Sequence, residues 1–269
     1  MLIDGVEAAT VPAADRGLNY GDGLFETMRL HAGRVPLLQR HLRRLRAGCE
    51  RIGLRFPGDA LIEHEISMLA AGAPGPGVLR LVLTRGDGGR GYTPPPSGGR
   101  RILSLHPLPV PVPGGLTVGV CRTRLGRSSA LGGLKHLGRL EQVLAAGEVA
   151  DAGWHEGLML DDADCVVEAT RHNLFFVRNE GVWTPPLQAC GVAGVMRELV
   201  LETLAALELP GGEAPLRYDE LHEIDEMFLC NAVVGVQPVS QLAGRELGSA
   251  RAVDALRAPL AAAGAEWLA

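Results

Sequence analysis

The first half of the chain alternates between hydrophobic patterns typical of strands and of helices. Short apolar runs predict strands over residues 24–30, 78–84 and 102–105. Apolar residues recur at helical spacing over 37–52, and a second helix is predicted over 59–71. The run AGAPGPG interrupts the chain after the second helix. This order predicts a mixed α/β lobe.

The second half continues the mixture with more strands. Helices are predicted over 138–152, over 192–207 and at the C-terminus. The predicted strands are 116–122, 157–160, 165–168, 174–177, 182–184, 227–230 and 234–239. The proline-rich stretch PLPVPVPGG predicts a stiff linker between two lobes. We therefore expect a mixed α and β (α+β) protein with a smaller N-terminal α/β domain (1–106), a linker (107–115) and a larger C-terminal domain (116–269).

Composition and charge exclude several classes of protein. The chain is 46% hydrophobic and 21% charged, typical of a globular enzyme, and its net charge of -5 argues against nucleic-acid binding. No apolar window approaches a membrane span, and the N-terminus lacks the pattern of a signal peptide. Five widely spaced cysteines suggest free thiols in a reducing compartment. We expect a cytoplasmic enzyme that binds neither membrane nor nucleic acid.

One lysine, Lys135, stands among 26 basic residues, of which the other 25 are arginine. An arginine substitutes for lysine as a solvated charge, but its guanidinium cannot form an imine with an aldehyde. A chain that uses lysine once therefore suggests that an amine is needed there. The alternative is an incidental surface lysine, and this observation alone leaves both open.

The glycines of TRGDGGRGY match the spacing of a dinucleotide-binding loop. Such a loop must open a helix, and the prolines of the following TPPPSGG forbid one. A glycine-rich turn that presents Arg85, Arg90 and Tyr92 fits better. Because arginine suits a carboxylate, we expect these residues to bind an acidic substrate.

Two further segments suggest an anion site and a carboxylate partner. GVAGVMR (191–197) places glycines at a predicted helix start, where N–H groups favour an anion, although a simple tight turn is the alternative. CNAVVG (230–235) could supply more N–H groups. Glu168 ends an apolar strand, where a buried carboxylate needs a partner. Neither HExxH nor another metal-ligand pattern occurs, so no metal is expected.

With these segments the sequence resembles the fold-type IV pyridoxal-phosphate enzymes, and among them the aminodeoxychorismate lyases. The resemblance implies two lobes with the site between them, pyridoxal 5'-phosphate as cofactor and a homodimer. KHLxRLEQ and the GGRGY loop favour the lyases over the aminotransferases of the same fold. The matching segments are DRGLNYGDGLFET, HLRRL, TRGDGGRGY, LGGLKHLGRLEQVLA, VVEATRHNLFFV, TPPLQACGVAGVMR and EMFLCNAVVGVQPV.

The resemblance also implies roles for individual residues. Lys135 matches the catalytic lysine that holds the cofactor, Thr27 a catalytic threonine and Glu168 the partner of the pyridine nitrogen. The phosphate would be bound by Arg44 and by backbone at Val192, Ala193, Gly194, Asn231 and Ala232. Arg85, Arg90 and Tyr92 would face the substrate. Gly138, in place of the usual asparagine, and Arg171-His172, in place of small residues, depart from the family pattern.

The implied activity is conversion of 4-amino-4-deoxychorismate to 4-aminobenzoate and pyruvate, a step of folate synthesis. Two other functions stay open. One is a D-amino-acid or branched-chain aminotransferase, because the cofactor residues would be shared. The other is a non-catalytic anion- or nucleotide-binding protein in which Lys135 is incidental.

Overall fold

The computed structural model describes residues 1–95 and 98–269. The chain divides into two compact units. The first comprises Met1–Pro109 together with Lys135–Gly138, and the second comprises Val110–Leu134 and Arg139–Ala269. The predicted mixture of helices and strands is confirmed. Lys135 thus belongs to the first unit although most of its sequence neighbours belong to the second.

The first unit contains one antiparallel sheet with strand order β2-β1-β5-β4-β3, so that β3 forms an edge. Its elements are β1 (Leu2–Ile3), β2 (Val6–Glu7), α1 (Arg16–Tyr20), β3 (Gly23–Leu30), α2 (Leu38–Ile52), α3 (Asp59–Ala71), β4 (Gly77–Thr84) and β5 (Arg100–His106).

Side chains alternate across β3 as expected for a half-buried strand. Leu24, Met28 and Leu30 join the hydrophobic core that α2 and α3 share with the sheet. Phe25 and Thr27 lie on the opposite face and are half-buried. One face of β3 thus packs into the hydrophobic core, and the other face is partly open to solvent.

The second unit contains a mixed sheet, nine-stranded in the described chain, with the order β11-β10-β9-β12-β13-β6-β7-β8 and β14 paired to β13. The large hydrophobic core beside it includes Leu158, Phe176 and Leu229. The elements are β6 (Leu116–Leu125), α4 (Leu140–Ala152), β7 (Glu156–Asp161), β8 (Val166–Ala169), β9 (Asn173–Arg178), β10 (Gly181–Thr184), α5 (Val195–Ala206), β11 (Gly211–Glu213), β12 (Glu226–Asn231), β13 (Gly235–Leu242), β14 (Arg245–Glu246) and α6 (Arg251–Ala262).

Two helices begin later than predicted, and in both cases the backbone has other partners. α4 begins at Leu140 instead of 138, and the preceding Lys135 and Leu137 pair with the edge of β3. α5 begins at Val195 instead of 192, because Val192 forms a parallel bridge to Gly133. Short elements such as α1 and β11 were not predicted. Within the described ranges, no helix is long and apolar enough to cross a membrane.

Candidate active site

Lys135 is held by its backbone against the free edge of β3. The Phe25 N–H donates to the Lys135 carbonyl at 3.0 Å, and the Leu137 N–H donates to the Gly23 carbonyl at 3.1 Å. The Lys135 Nζ lies 4.3 Å from the centroid of the Phe25 ring. Two hydrogen bonds therefore fix the backbone around Lys135, and the amine of this single lysine lies against an aromatic ring.

Thr27 lies two residues beyond Phe25 on the same face of β3. Arg80 contacts Phe25 on the same face, with its guanidinium carbon 4.7 Å from the Phe25 ring centroid. The structure thus brings the predicted catalytic threonine to the strand and face whose aromatic ring touches Lys135.

The opposite face of β3 carries a buried charged cluster. Glu26 accepts hydrogen bonds from His41 Nδ1 at 2.6 Å and from Arg44 Nε at 2.9 Å, and Arg44 Nη2 completes a bidentate pair. Burial opposes ionisation of Glu26, but the positive charge of Arg44 and the hydrogen bond from His41 outweigh it and lower its pKa to about 2. Arg44, the predicted phosphate ligand, is therefore oriented by an ionised carboxylate.

His41 is the second residue that contacts the Glu26 carboxylate. Burial lowers its pKa, Glu26 opposes that shift, and the charges of Arg44 and Lys135 reinforce it. Lys135 is thus one of the charges that keep the pKa of His41 low. The buried Nε2 of His41 has no hydrogen-bond partner within the part of the chain that the structure describes.

Glu168 lies on β8 in the second unit and is 4% exposed. Its carboxylate accepts from the Val192 N–H at 2.8 Å and lies 3.4 Å from Gln142 Nε2 on α4. Gln142 belongs to the RLEQ segment. A buried carboxylate held in this way has the chemistry required to keep a pyridine nitrogen protonated.

Two N–H groups of the predicted phosphate loop already have protein partners. The Val192 N–H is used by Glu168, and the Ala193 N–H donates to the Gly133 carbonyl at 3.0 Å. Gly194 is the N-cap of α5, which has no side-chain cap. The N–H groups that helix geometry leaves for an anion are therefore those of the first turn, beginning at Val195.

Asn231 and Ala232 lie where β12 ends. The Asn231 Oδ1 accepts from the N–H groups of Val233 and Val234, both at 2.9 Å, and its Nδ2 donates to the Arg171 carbonyl at 3.3 Å. The side chain of Asn231 thus shapes the turn, and any phosphate contact from this segment would come from its backbone.

Arg85, predicted to face the substrate, is buried and bonded to protein groups. It is 7% exposed, and its guanidinium donates to Asp22 at 2.7 Å and to the carbonyls of Ile52 and Gly53 at 2.9 and 2.8 Å. Three protein acceptors therefore hold this guanidinium within the first unit, and the substrate contact of Arg85 stays a prediction. Arg90 is exposed, and Tyr92 is 87% exposed.

Several residues of the site were missed from sequence. Glu26, His41 and Asp22 are ionisable residues that the predictions did not use. A signal existed for the first two, because Glu26 occupies a buried position in the alternation of an apolar strand. His41 and Arg44 are three apart on the following helix and so share one face. In the described ranges, no group of three or more histidine, cysteine or acidic residues could hold a metal.

Known proteins resemble this chain along nearly its whole length. The family model for class IV aminotransferases matches residues 23–242. An aminodeoxychorismate lyase of Vibrio harveyi is 34% identical, with 91% of this chain and 92% of that protein covered. A putative branched-chain-amino-acid aminotransferase of Methanocaldococcus jannaschii is 31% identical, with 90% and 85% covered. A crystal structure of 4-amino-4-deoxychorismate lyase from Pseudomonas aeruginosa is similar with a TM-score of 0.88 and 44% identity, covering 96% of this chain and 98% of that one.

Proposed function

The chain belongs to the class IV aminotransferase family, and from this premise we propose that it is a pyridoxal-phosphate-dependent lyase that converts 4-amino-4-deoxychorismate to 4-aminobenzoate and pyruvate. The observation that carries the proposal is the single lysine, fixed on the edge of β3 beside Phe25 and on the strand of Thr27. The likeness to two lyases, one 34% and one 44% identical over nearly the whole chain, supports this reaction over transamination.

The two units carry donor groups that suit pyridoxal phosphate. Lys135 offers the amine for its aldehyde, and the buried Glu168 carboxylate suits its ring nitrogen. Arg44, held by Glu26, and the uncapped first turn of α5 suit its phosphate. When bound, the cofactor supplies an electron sink for charge that develops at the carbon bearing the substrate amine.

The residues of the chain have proton-transfer roles in this proposal. Lys135 Nζ takes the proton from C4 of the substrate. The C3–O bond then breaks and the ring becomes aromatic, while the departing enolpyruvyl group gains one proton and becomes pyruvate. The Thr27 hydroxyl is the second group that we assign to proton handling. Exposed Arg90 and Tyr92 are assigned to the substrate carboxylates.

We also propose that the enzyme is a cytoplasmic homodimer that serves folate synthesis. All five cysteines are free, in keeping with a reducing compartment. The dimer and the pathway rest on the family resemblance.

Product analysis tests the reaction. Protein saturated with pyridoxal phosphate is given 4-amino-4-deoxychorismate without any keto-acid acceptor, and 4-aminobenzoate and pyruvate are quantified. We expect both products in equal amounts. A parallel sample receives D-alanine or a branched-chain amino acid with 2-oxoglutarate. Amino-group transfer there, with no 4-aminobenzoate in the first sample, would replace the lyase by an aminotransferase.

A further inference from the structure

The glycine-rich loop 85–92 is tied along its length to the segment that contains α1. The Arg16 N–H donates to the Gly86 carbonyl at 2.9 Å, and the Gly88 N–H donates to the Ala14 carbonyl at 3.1 Å. Arg100 bridges Asp15 and Asp87, one on each segment. The first half of the loop is therefore ordered by backbone and ionic contacts.

Arg16 fixes the second half of the loop. Its side chain is buried, and its guanidinium donates to the Gly91 carbonyl at 2.9 Å, to the Tyr92 carbonyl at 3.0 Å and to Asp22 Oδ2 at 2.8 Å. A planar fork with several fixed donors can bind two neighbouring carbonyls and a carboxylate at once, which a lysine ammonium cannot do with the same geometry. A Cβ at Gly88 would lie 2.6 Å from Arg16 Cδ, so the loop closes directly over this side chain.

Tyr20, at the end of α1, holds the same part of the loop. Its hydroxyl oxygen accepts from the Gly91 N–H at 3.0 Å. Its ring lies 5.7 Å from that of Tyr92, in an edge-on arrangement, and 4.7 Å from the Arg16 guanidinium carbon. Arg16 and Tyr20 thus occupy both the N–H and the carbonyl of Gly91.

Arg90, unlike the loop residues that Arg16 and Tyr20 hold, is exposed to solvent. It lies between the fixed residues Gly88 and Gly91. Its side chain makes no hydrogen bond or ion pair with the residues described in the structure. A loop ordered on both sides of a solvent-facing guanidinium has the form of a preorganised anion-recognition arm.

We propose that Arg16 is the positioning residue of the substrate loop: by fixing Gly91 and Tyr92 it presents Arg90 to a carboxylate of the substrate. This inference rests on the proposed lyase function, because that substrate carries two carboxylates. The Arg16 guanidinium is buried and donates to Asp22 and to two loop carbonyls, so its effect reaches the substrate through the loop. An ordered loop also removes the conformational entropy that substrate binding would otherwise have to overcome.

The test combines substrate kinetics with hydrogen exchange. The variants are Arg16→Lys, which keeps the charge but loses the fork, Tyr20→Phe, which removes the acceptor of the Gly91 N–H, and Arg90→Gln. Arg101→Lys is the matched control, because Arg101 is a half-buried arginine on β5 of the same unit that pairs with Glu65 on α3. Exchange of residues 86–92 is followed by mass spectrometry without substrate, and kcat and KM for lyase turnover are measured separately.

We expect Arg16→Lys to speed exchange across 86–92 and to raise KM by about 10- to 100-fold, with kcat changed less than about threefold. Tyr20→Phe should do the same more weakly. Arg90→Gln should raise KM without faster exchange, and adding Arg16→Lys to it should raise KM little further. Arg101→Lys should leave KM and the exchange of 86–92 unchanged.

Faster exchange with an unchanged KM in Arg16→Lys and Tyr20→Phe would overturn the proposal and leave Arg16 a purely structural residue. An unchanged KM in Arg90→Gln would overturn it as well. If Arg16→Lys does not fold, Tyr20→Phe decides, because it alters one partly exposed hydroxyl. Absence of product from the wild-type protein would instead contradict the lyase function, and with it the assignment of this loop to that substrate.

Discussion

Glu26 is a buried carboxylate that orients Arg44, the predicted phosphate ligand. It is ionised although buried, because Arg44 and His41 together outweigh its desolvation. Its bidentate pair with Arg44 restricts that guanidinium to one orientation. If Arg44 binds the cofactor phosphate, Glu26 is the residue that prepares it to do so.

The effect of Glu26 on stability should depend on pH. Its folded pKa of about 2 lies below the ordinary value of 4.5, so its ionised form stabilises the fold above pH 4.5, and this contribution is lost as the pH falls toward 2. We expect Glu26→Gln to lower the free energy of unfolding by roughly 3 kcal/mol at pH 7, with a difference that shrinks below pH 4.5.

Urea unfolding of the cofactor-free protein at pH 7, 4 and 3 checks this prediction. A difference between wild type and Glu26→Gln that stayed constant over this range would show that packing, and not the charge of Glu26, is responsible.

At the scale of elements, the loop before α5 is held in place by contacts with neighbouring strands. Asn173 Nδ2 donates to the Val192 carbonyl at 2.8 Å, and the Val192 N–H binds Glu168. Gly194 packs against this arrangement, since a Cβ there would lie 2.0 Å from Asn173 Oδ1. The loop, the β8 carboxylate and the helix start therefore form one packed group.

Substitution of Gly194 should disturb this group. We expect Gly194→Ala to lower the free energy of unfolding by about 2 kcal/mol, because Asn173 must move, and to weaken pyridoxal-phosphate binding at least about tenfold. Gly147→Ala in α4 is the matched control. A Cβ at Gly147 meets nothing within 4 Å, so alanine should stabilise the helix by about 0.5–1 kcal/mol.

Thermal unfolding and absorbance titration with pyridoxal phosphate measure both effects. Equal stability and equal cofactor affinity in the two alanine variants would contradict the role given to Gly194.

Elements were predictable from sequence where local pattern determines them. The apolar alternation of β3 and the helical spacing of α2 give nearly their observed bounds. The starts of α4 and α5 were missed because long-range pairing to β3 and to Gly133 keeps the preceding backbone out of the helix. Local propensity carries no information about such partners.

The same limit applies to the site. The uniqueness of Lys135 and the charge of Glu168 are visible in the sequence. The burial of Arg85 is not, because its acceptors Asp22, Ile52 and Gly53 come from distant segments. An arginine beside a glycine loop can serve either the fold or a ligand, and only tertiary contacts distinguish Arg85 from Arg90.

At the scale of the whole molecule, the chain distributes its chemistry over two compact units. The first holds Lys135, Thr27 and the Glu26–Arg44 pair, and the second holds Glu168 and the start of α5. Lys135 belongs to the first unit because residues 135–138 pack there, although the chain before and after them belongs to the second unit. The proposed chemistry depends on this four-residue segment, because it contains the only lysine.

The central claim is that the Lys135 amine carries the cofactor and the reaction. The decisive measurement is borohydride reduction of the protein loaded with pyridoxal phosphate, followed by peptide mass mapping and by assay of 4-aminobenzoate, in wild type and in Lys135→Arg. Arginine keeps the charge at this position but cannot bond to the aldehyde. We predict a phosphopyridoxyl label on the peptide that contains Lys135 and none in the variant, which should form no product. A label confined to the N-terminal amine, or 4-aminobenzoate formation by Lys135→Arg, would contradict the claim.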